Sequence, residues 1–226
     1  MTPQVPHASD RNPTRRFLIL GVLALLLGLG YAVMLTRTHG VAGAGDQGTL
    51  NLPTESKDGF NEIRPFSLTE RSGRTITRED LLGTPFVAGF VFTRCTGPCP
   101  RISGNMRKLQ GLLAGEDVKL VTFTVDPEYD TPQVLAEYAD RLGADPQRWL
   151  FLTGKLAEIK EIANKDFMFT LEQDATQPVG ESITHRTFLT VVDKRGRVRG
   201  YYDGEGDAGV AAAAARAKFL AHEAGP

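Results

Sequence analysis

The chain reads as an α/β sandwich carried behind a single membrane-spanning helix. Three observations predict it. Nineteen residues from Phe17 to Leu35 carry no charge. Short apolar runs alternate with helix-spaced apolar stripes between Phe86 and Ala163, and a β-hairpin followed by an Ala-rich helix closes the chain from Thr187 onward. Composition is globular, with 41% hydrophobic and 23% charged residues, and the net charge of −1 shows no nucleic-acid footprint.

Residues 1–16 are polar, hold three prolines and end in Arg15-Arg16. The run 17–35 would span about 28 Å as a helix, close to the thickness of a bilayer core. A cleaved signal peptide is the competing reading, with Ala42-Gly43-Ala44 resembling a cleavage site. The run is longer than a signal's apolar region, and the Ala site lies well beyond it, so an uncleaved anchor is favoured. Arg11, Arg15 and Arg16 precede the run and only Arg37 follows closely, which puts the N-terminus in the cytoplasm. The reading is therefore a cytoplasmic tail (1–16), a transmembrane anchor (17–35), a linker (36–62) rich in Gly and polar residues, and an exported domain (63–226). The compartment expected is a bacterial periplasm, with the anchor in the inner membrane. Asp10 and the prolines do not suit a mitochondrial presequence, which leaves the mitochondrial inner membrane as the lesser alternative.

In the exported domain, Pro65–Leu68 reads as a short strand, and the turn at Ser72-Gly73 leads to Thr75–Thr77 in a small hairpin. Thr77 can cap a helical turn over 78–82. Phe86–Phe92 is near-continuously apolar, as a strand covered on both faces should be. A helix from Cys99 to about Ala114 puts Ile102, Met106, Leu109 and Leu113 on one face. Val118–Val125 is the next strand. Asp130-Thr131-Pro132 opens a second helix with Val134, Leu135, Tyr138 and Leu142 inward. Trp149–Thr153 is a third strand of this series, followed by a stripe of Leu156, Ile159, Ile162 and Ala163. Thr187–Val192 and Val198–Tyr202 flank a turn containing Gly196, and Asp207 to about Ala221 forms the last helix. This order predicts a thioredoxin-like fold, a mixed central sheet with helices on both faces.

The chain has two cysteines, Cys95 and Cys99, in FVFTRCTGPCP directly after the Phe86–Phe92 strand. Residues four apart on a helical turn share a face, with Cα atoms about 6 Å apart, inside disulfide range. The pair could equally hold one metal ion. Cys99 falls at a helix start, where amide dipoles favour an anionic sulfur, so its pKa is expected to be lowered. A structural disulfide is the plain alternative for an exported domain. It would close so small a loop that it constrains the unfolded chain little, and reactive use is favoured.

Of four histidines, His7, His39 and His222 lie in the tail, at the membrane edge and at a helix end, and read as incidental. His185 stands in a polar loop entering the Thr187 strand, which the proposed sheet sets beside the strand that ends at the cysteines. Two thiolates and one imidazole make a soft, low-coordinate set that suits copper, Cu(I) above all. Zinc competes, but a closed structural zinc site wants a fourth ligand.

FVFTRCTGPCP, FTVDPEYDTP (Phe123–Pro132), and His185 with TFLTVVDKRGRVRGYYDG (Thr187–Gly204) together resemble the Sco/SenC family of membrane-anchored copper chaperones for cytochrome c oxidase. The resemblance covers roughly residues 63–222. It implies a thioredoxin-like fold and copper ligation by Cys95, Cys99 and His185. It also implies delivery of copper to the binuclear centre of oxidase subunit II, or prior reduction of that centre's cysteines, for which Cys95 and Cys99 would form a redox-active disulfide. The family implicates the Asp of its V-D-P motif, here Asp126, in copper binding or release; the plainer role for Asp126 is to order the turn at the strand end. Thr-Gly-Pro between the cysteines and Arg186 after His185 depart from the commoner pattern. Three readings stay open: a copper chaperone, a thiol–disulfide reductase, and an exported domain with a structural disulfide. The reductase lacks both the C-x2-C spacing and a proline directly before the Thr187 strand.

Overall fold

The computed structural model describes residues 55–169 and 187–223, with the backbone of 172–173 and 183–184. Its centre is β3 (Phe86–Val91), all six residues of which are buried. β3 pairs in parallel with β4 (Lys119–Thr124), and β4 in parallel with β5 (Trp149–Thr153). On the other side β8 (Phe188–Val192) runs antiparallel to β3 and forms a hairpin with β9 (Val198–Asp203). β1 (Ser67–Glu70) and β2 (Thr75–Thr77) complete a seven-stranded mixed sheet in the order β2-β1-β5-β4-β3-β8-β9. A separate two-residue pair, β6 (Glu172–Gln173) and β7 (Ile183–Thr184), was not foreseen from the sequence.

Each crossover helix is specified locally. α1 (Cys99–Leu112) carries Pro100 in its first turn, where a missing N–H costs nothing, and buries Ile102, Met106 and Leu109. α2 (Pro132–Leu142) is capped by the Thr131 hydroxyl, which accepts the Val134 N–H, and ends at Gly143 with φ 64°. α3 (Leu156–Glu161) runs on into a π-helical turn, Ile162–Asp166. α4 (Asp207–His222) turns Val210, Ala213, Ala214, Ala217 and Leu220 inward.

Side-chain alternation divides the core into two layers. On one face the Thr122 hydroxyl accepts a hydrogen bond from the Trp149 indole, and Phe151 stacks on Trp149 and meets Tyr138 of α2. Tyr138 is hydrogen-bonded at 2.6 Å to Ser103 of α1. On the opposite face Phe90 and Phe123 stack at 5.1 Å, with Phe167 and Phe169, which follow the π turn, against Phe90 at 5.3 and 4.5 Å. Burial of each such ring contributes about 1.5–3 kcal/mol. The aromatic layer lies beneath the C-terminal end of β3, where the cysteine loop begins.

Local expectations differ in three places. The first strand starts at Ser67 rather than Pro65. The turn after β2 is a 3-10 turn over Glu79–Leu81, in which Asp80 accepts the N–H and hydroxyl of Thr77 instead of Thr77 acting as the cap. Residues 55–62, read from the sequence as the end of the linker, run along β9: Ser56 N–H donates to Arg199 O, Phe60 N–H to Val198 O and Val198 N–H to Asn61 O. They satisfy the otherwise open edge of the sheet. The tail 1–16, the anchor 17–35 and linker residues 36–54 lie outside the described residues. Among the described residues no helix is long and apolar enough to cross a membrane.

Candidate functional site

β3 delivers the chain to the site. Beyond Val91 the Cys95 N–H returns to Phe92 O at 3.2 Å, and the N–H groups of Arg101 and Ile102 reach Pro98 O as α1 begins. Cys95 is 9% exposed and Cys99 1%, and no disulfide joins them. A β-carbon at Gly97 would meet the Cys95 sulfur at 3.8 Å, so position 97 lies over that sulfur without covering it. The expectation of a lowered Cys99 pKa is overturned. Burial pushes the thiol well above its ordinary value and the hydrogen bond with Cys95 adds to this, while the Phe92 backbone works against both. Desolvation is the largest cause, because the sulfur is almost wholly shielded from water. The two sulfurs are therefore largely shielded from solvent in this structure.

The loop entering Cys95 is clasped from below. Asp130, fully buried, accepts the Thr93 N–H at 3.1 Å and the hydroxyls of Thr93 and Thr124. Burial raises the pKa of this carboxyl, and the three hydrogen bonds oppose the rise. From the sequence, Asp130 reads only as part of a helix start. The available signal was the alternation in Val121-Thr122-Phe123-Thr124, which sends threonines into the core where each needs a partner.

Asp126 stands at the end of β4. Its carbonyl accepts the N–H groups of Tyr129 and Asp130, and its own N–H donates to the Thr124 hydroxyl, so its backbone closes the turn after β4. Its carboxylate takes the Arg94 Nε–H at 2.6 Å, and the Arg94 guanidinium lies 4.5 Å over the Tyr129 ring. The sequence reading missed Arg94.

His185 and Arg186 lie outside the described residues. The chain resumes at Thr187, and because β8 is antiparallel to β3 with Ala88 opposite Thr190, it resumes at the end of the sheet where the cysteine loop sits. Thr187 O accepts the Gly204 N–H at 2.7 Å, and Gly204 O accepts the Asn105 side-chain amide of α1 at 2.7 Å, so α1 and the start of β8 share one anchor. His222, read as incidental, is hydrogen-bonded to Glu116 at 2.8 Å. Cys95 and Cys99 could serve as metal ligands. Among the described residues, however, no three His, Cys, Asp or Glu side chains gather closely enough to hold an ion.

A family model described as SCO1/SenC matches residues 54–219. The chain belongs to the SCO1/SenC family. Within it, the SCO1 protein homolog of Bacillus subtilis is 35% identical over 153 residues, covering 66% of this chain and 77% of its own. The solved structure of BsSco, described as a member of the Sco family of cytochrome c oxidase assembly proteins with a disulfide switch, superposes with a TM-score of 0.66 at 30% identity, covering 75% of this chain and 99% of that one. Yeast Sco1 with copper bound gives 0.56 at 26% identity, covering 67% and 85%. The mixed sheet and its flanking helices are thus the thioredoxin-like Sco fold.

Proposed function

We propose that this Sco-family chain is a membrane-anchored copper chaperone. Cys95, Cys99 and His185 hold one copper ion, as Cu(I) or Cu(II), and deliver it to the binuclear centre of cytochrome c oxidase subunit II or to another copper-site protein. The observation that carries the reading is the placement of the cysteine pair. It is unbridged, at the C-terminal end of β3, and at the same end of the sheet where the chain resumes two residues after His185. Thiolate and imidazole donors suit Cu(I), and relatives are described as copper-bound and as oxidase assembly proteins.

The copper is cargo, so the chain needs no catalytic residue. Release proceeds by ligand exchange, in which a partner's donors replace Cys95, Cys99 and His185 in turn. Cys95, at 9% exposure against 1% for Cys99, is the first to be displaced. The segment 17–35 fixes the chain to the inner membrane with the copper domain in the periplasm, beside membrane-bound acceptors. Asp126 supports the loop rather than ligating the ion.

A second reading, thiol–disulfide reduction of an acceptor's cysteines, is favoured by the hydrogen bond between the two sulfurs, which sets them within reach of each other. Titration of the reduced full chain in detergent with Cu(I) separates the two. The chaperone binds one ion per chain and loses it in Cys95→Ser, Cys99→Ser and His185→Ala. A reductase keeps its activity on a partner disulfide in His185→Ala. Failure of the wild-type chain to bind copper, or binding indifferent to His185→Ala, overturns the chaperone.

A further inference from the structure

Four hydrogen bonds and the Thr93–Arg94 peptide link close a ring directly before Cys95. Arg94 Nε–H donates to Asp126, the Asp126 N–H donates to the Thr124 hydroxyl, that hydroxyl donates to Asp130, Asp130 accepts from Thr93, and Thr93 is bonded to Arg94. Two opposite charges, Arg94 and Asp126, are thereby fixed beside the cysteines by a frame whose one other ionisable member is the buried Asp130. Arg94 is further held by Tyr129, its side chain 36% exposed against 12% for Asp126. The carboxylate of Asp126 is directed to a cation, and among the described residues it joins no group with Cys95 and Cys99 that could hold a metal. Its Oδ2 is the atom that takes the Arg94 Nε–H.

We infer that the Arg94–Asp126 ion pair is a specificity determinant for the oxidation state of the cargo, with Arg94 favouring Cu(I) and Asp126 acting as its counterweight rather than as a ligand. This rests on the copper reading above. Two thiolates and a neutral imidazole around Cu(I) leave a net charge of −1, and around Cu(II) a net charge of zero. A fixed cation beside the site therefore stabilises the cuprous complex more than the cupric one, and a fixed anion does the reverse. A guanidinium keeps its charge across the physiological range. Removal of either partner alone changes the fixed charge beside the site by one unit.

The test measures Cu(I) and Cu(II) affinities of the reduced full chain in detergent, by competition with a chromophoric chelator for each ion. Arg94→Gln lowers the ratio of Cu(I) to Cu(II) affinity about tenfold, and Asp126→Asn raises it about tenfold, the order expected for one unit charge acting over ~10 Å at an effective dielectric constant of ~20. Arg94→Lys keeps the charge without the planar fork and stays within about threefold of wild type, as does the double variant Arg94→Gln/Asp126→Asn. Loss of loop support alone would weaken both ions in both single variants, so ratio shifts of the same sign overturn the inference. Cu(II) binding that stays weak in the double variant makes Asp126 a ligand and overturns it too. A wild-type chain that binds copper with ratios unmoved by these changes overturns this inference alone; one that binds neither ion overturns the copper reading with it.

Discussion

Replacement of Asp130 by Ala probes how firmly the cysteine loop is held. The change strips three donors of their acceptor: the Thr93 N–H at 3.1 Å and the hydroxyls of Thr93 and Thr124. The hydroxyls can rotate toward other acceptors, but the N–H cannot, and an orphaned buried donor costs about 1–3 kcal/mol. Against this, ionised Asp130 is itself destabilised by burial, as its raised pKa shows. The net expectation is a loss of about 2–3 kcal/mol. For a domain of this size that lowers Tm by roughly 4–12 °C, at about 2–4 °C per kcal/mol. Asp130→Asn keeps an acceptor for the N–H and removes the buried charge, so it should cost about 1 kcal/mol or less. The sign of the pH dependence follows from linkage. A carboxyl whose folded pKa is raised contributes stability that is present below the unfolded pKa, about 3.9, and is lost as the pH rises through the folded value. Wild type should therefore gain on Asp130→Asn as the pH is lowered from 7 toward 4. Thermal unfolding of the full chain by circular dichroism at both pH values checks this. Equal losses in Ala and Asn, or a wild-type advantage that shrinks on acidification, would refute the picture of a buried carboxylate clasp.

Because burial raises the Cys99 thiol, copper uptake at neutral pH must expel a proton there. A pH indicator should register proton release on titration of the reduced chain with Cu(I), and the affinity should rise with pH by up to about tenfold per unit for each thiol deprotonated. Gly204→Ala would place a β-carbon 2.5 Å from Thr187 O, and should cost about 2–3 kcal/mol in thermal unfolding while weakening copper binding through the displaced start of β8. Asp193 pairs with the buried Arg199 at 2.9 Å. Burial works to raise its pKa, but hydrogen bonds from the Arg197 N–H and from Arg199 outweigh it and the net shift is downward. Its contribution is thus present above the unfolded pKa and lost as the pH falls through the folded one, so the deficit of Asp193→Asn, about 3 kcal/mol at pH 7, should shrink toward pH 3 in denaturant unfolding.

The periodicities that build the fold are properties of the chain itself. Phe86–Val91 is apolar at every position because both its faces are covered, and the α1 stripe repeats at helical spacing because one face meets the sheet. Asp130-Thr131-Pro132 marks the start of α2 by backbone chemistry that acts within a few residues. The adjacency of Cys95 and Cys99 is likewise a matter of four positions along one turn. All of this was legible before any coordinates.

What required the tertiary structure was everything set by distance through space rather than along the chain. Asp130 becomes a clasp only when β4 brings Thr124, and the β3 loop brings Thr93, to one buried point. Arg94 acquires its meaning from Asp126, thirty-two positions away. The Cys99 thiol is governed by exclusion of water, which depends on what the rest of the molecule packs around it, so a rule based on the helix start alone gave the wrong sign. The segment 55–62, polar and rich in turn formers, gives no strand signal and settles on β9 because that edge offers unpaired backbone groups. Local propensity wrote the elements; burial and long-range charge decided what the site between them can do.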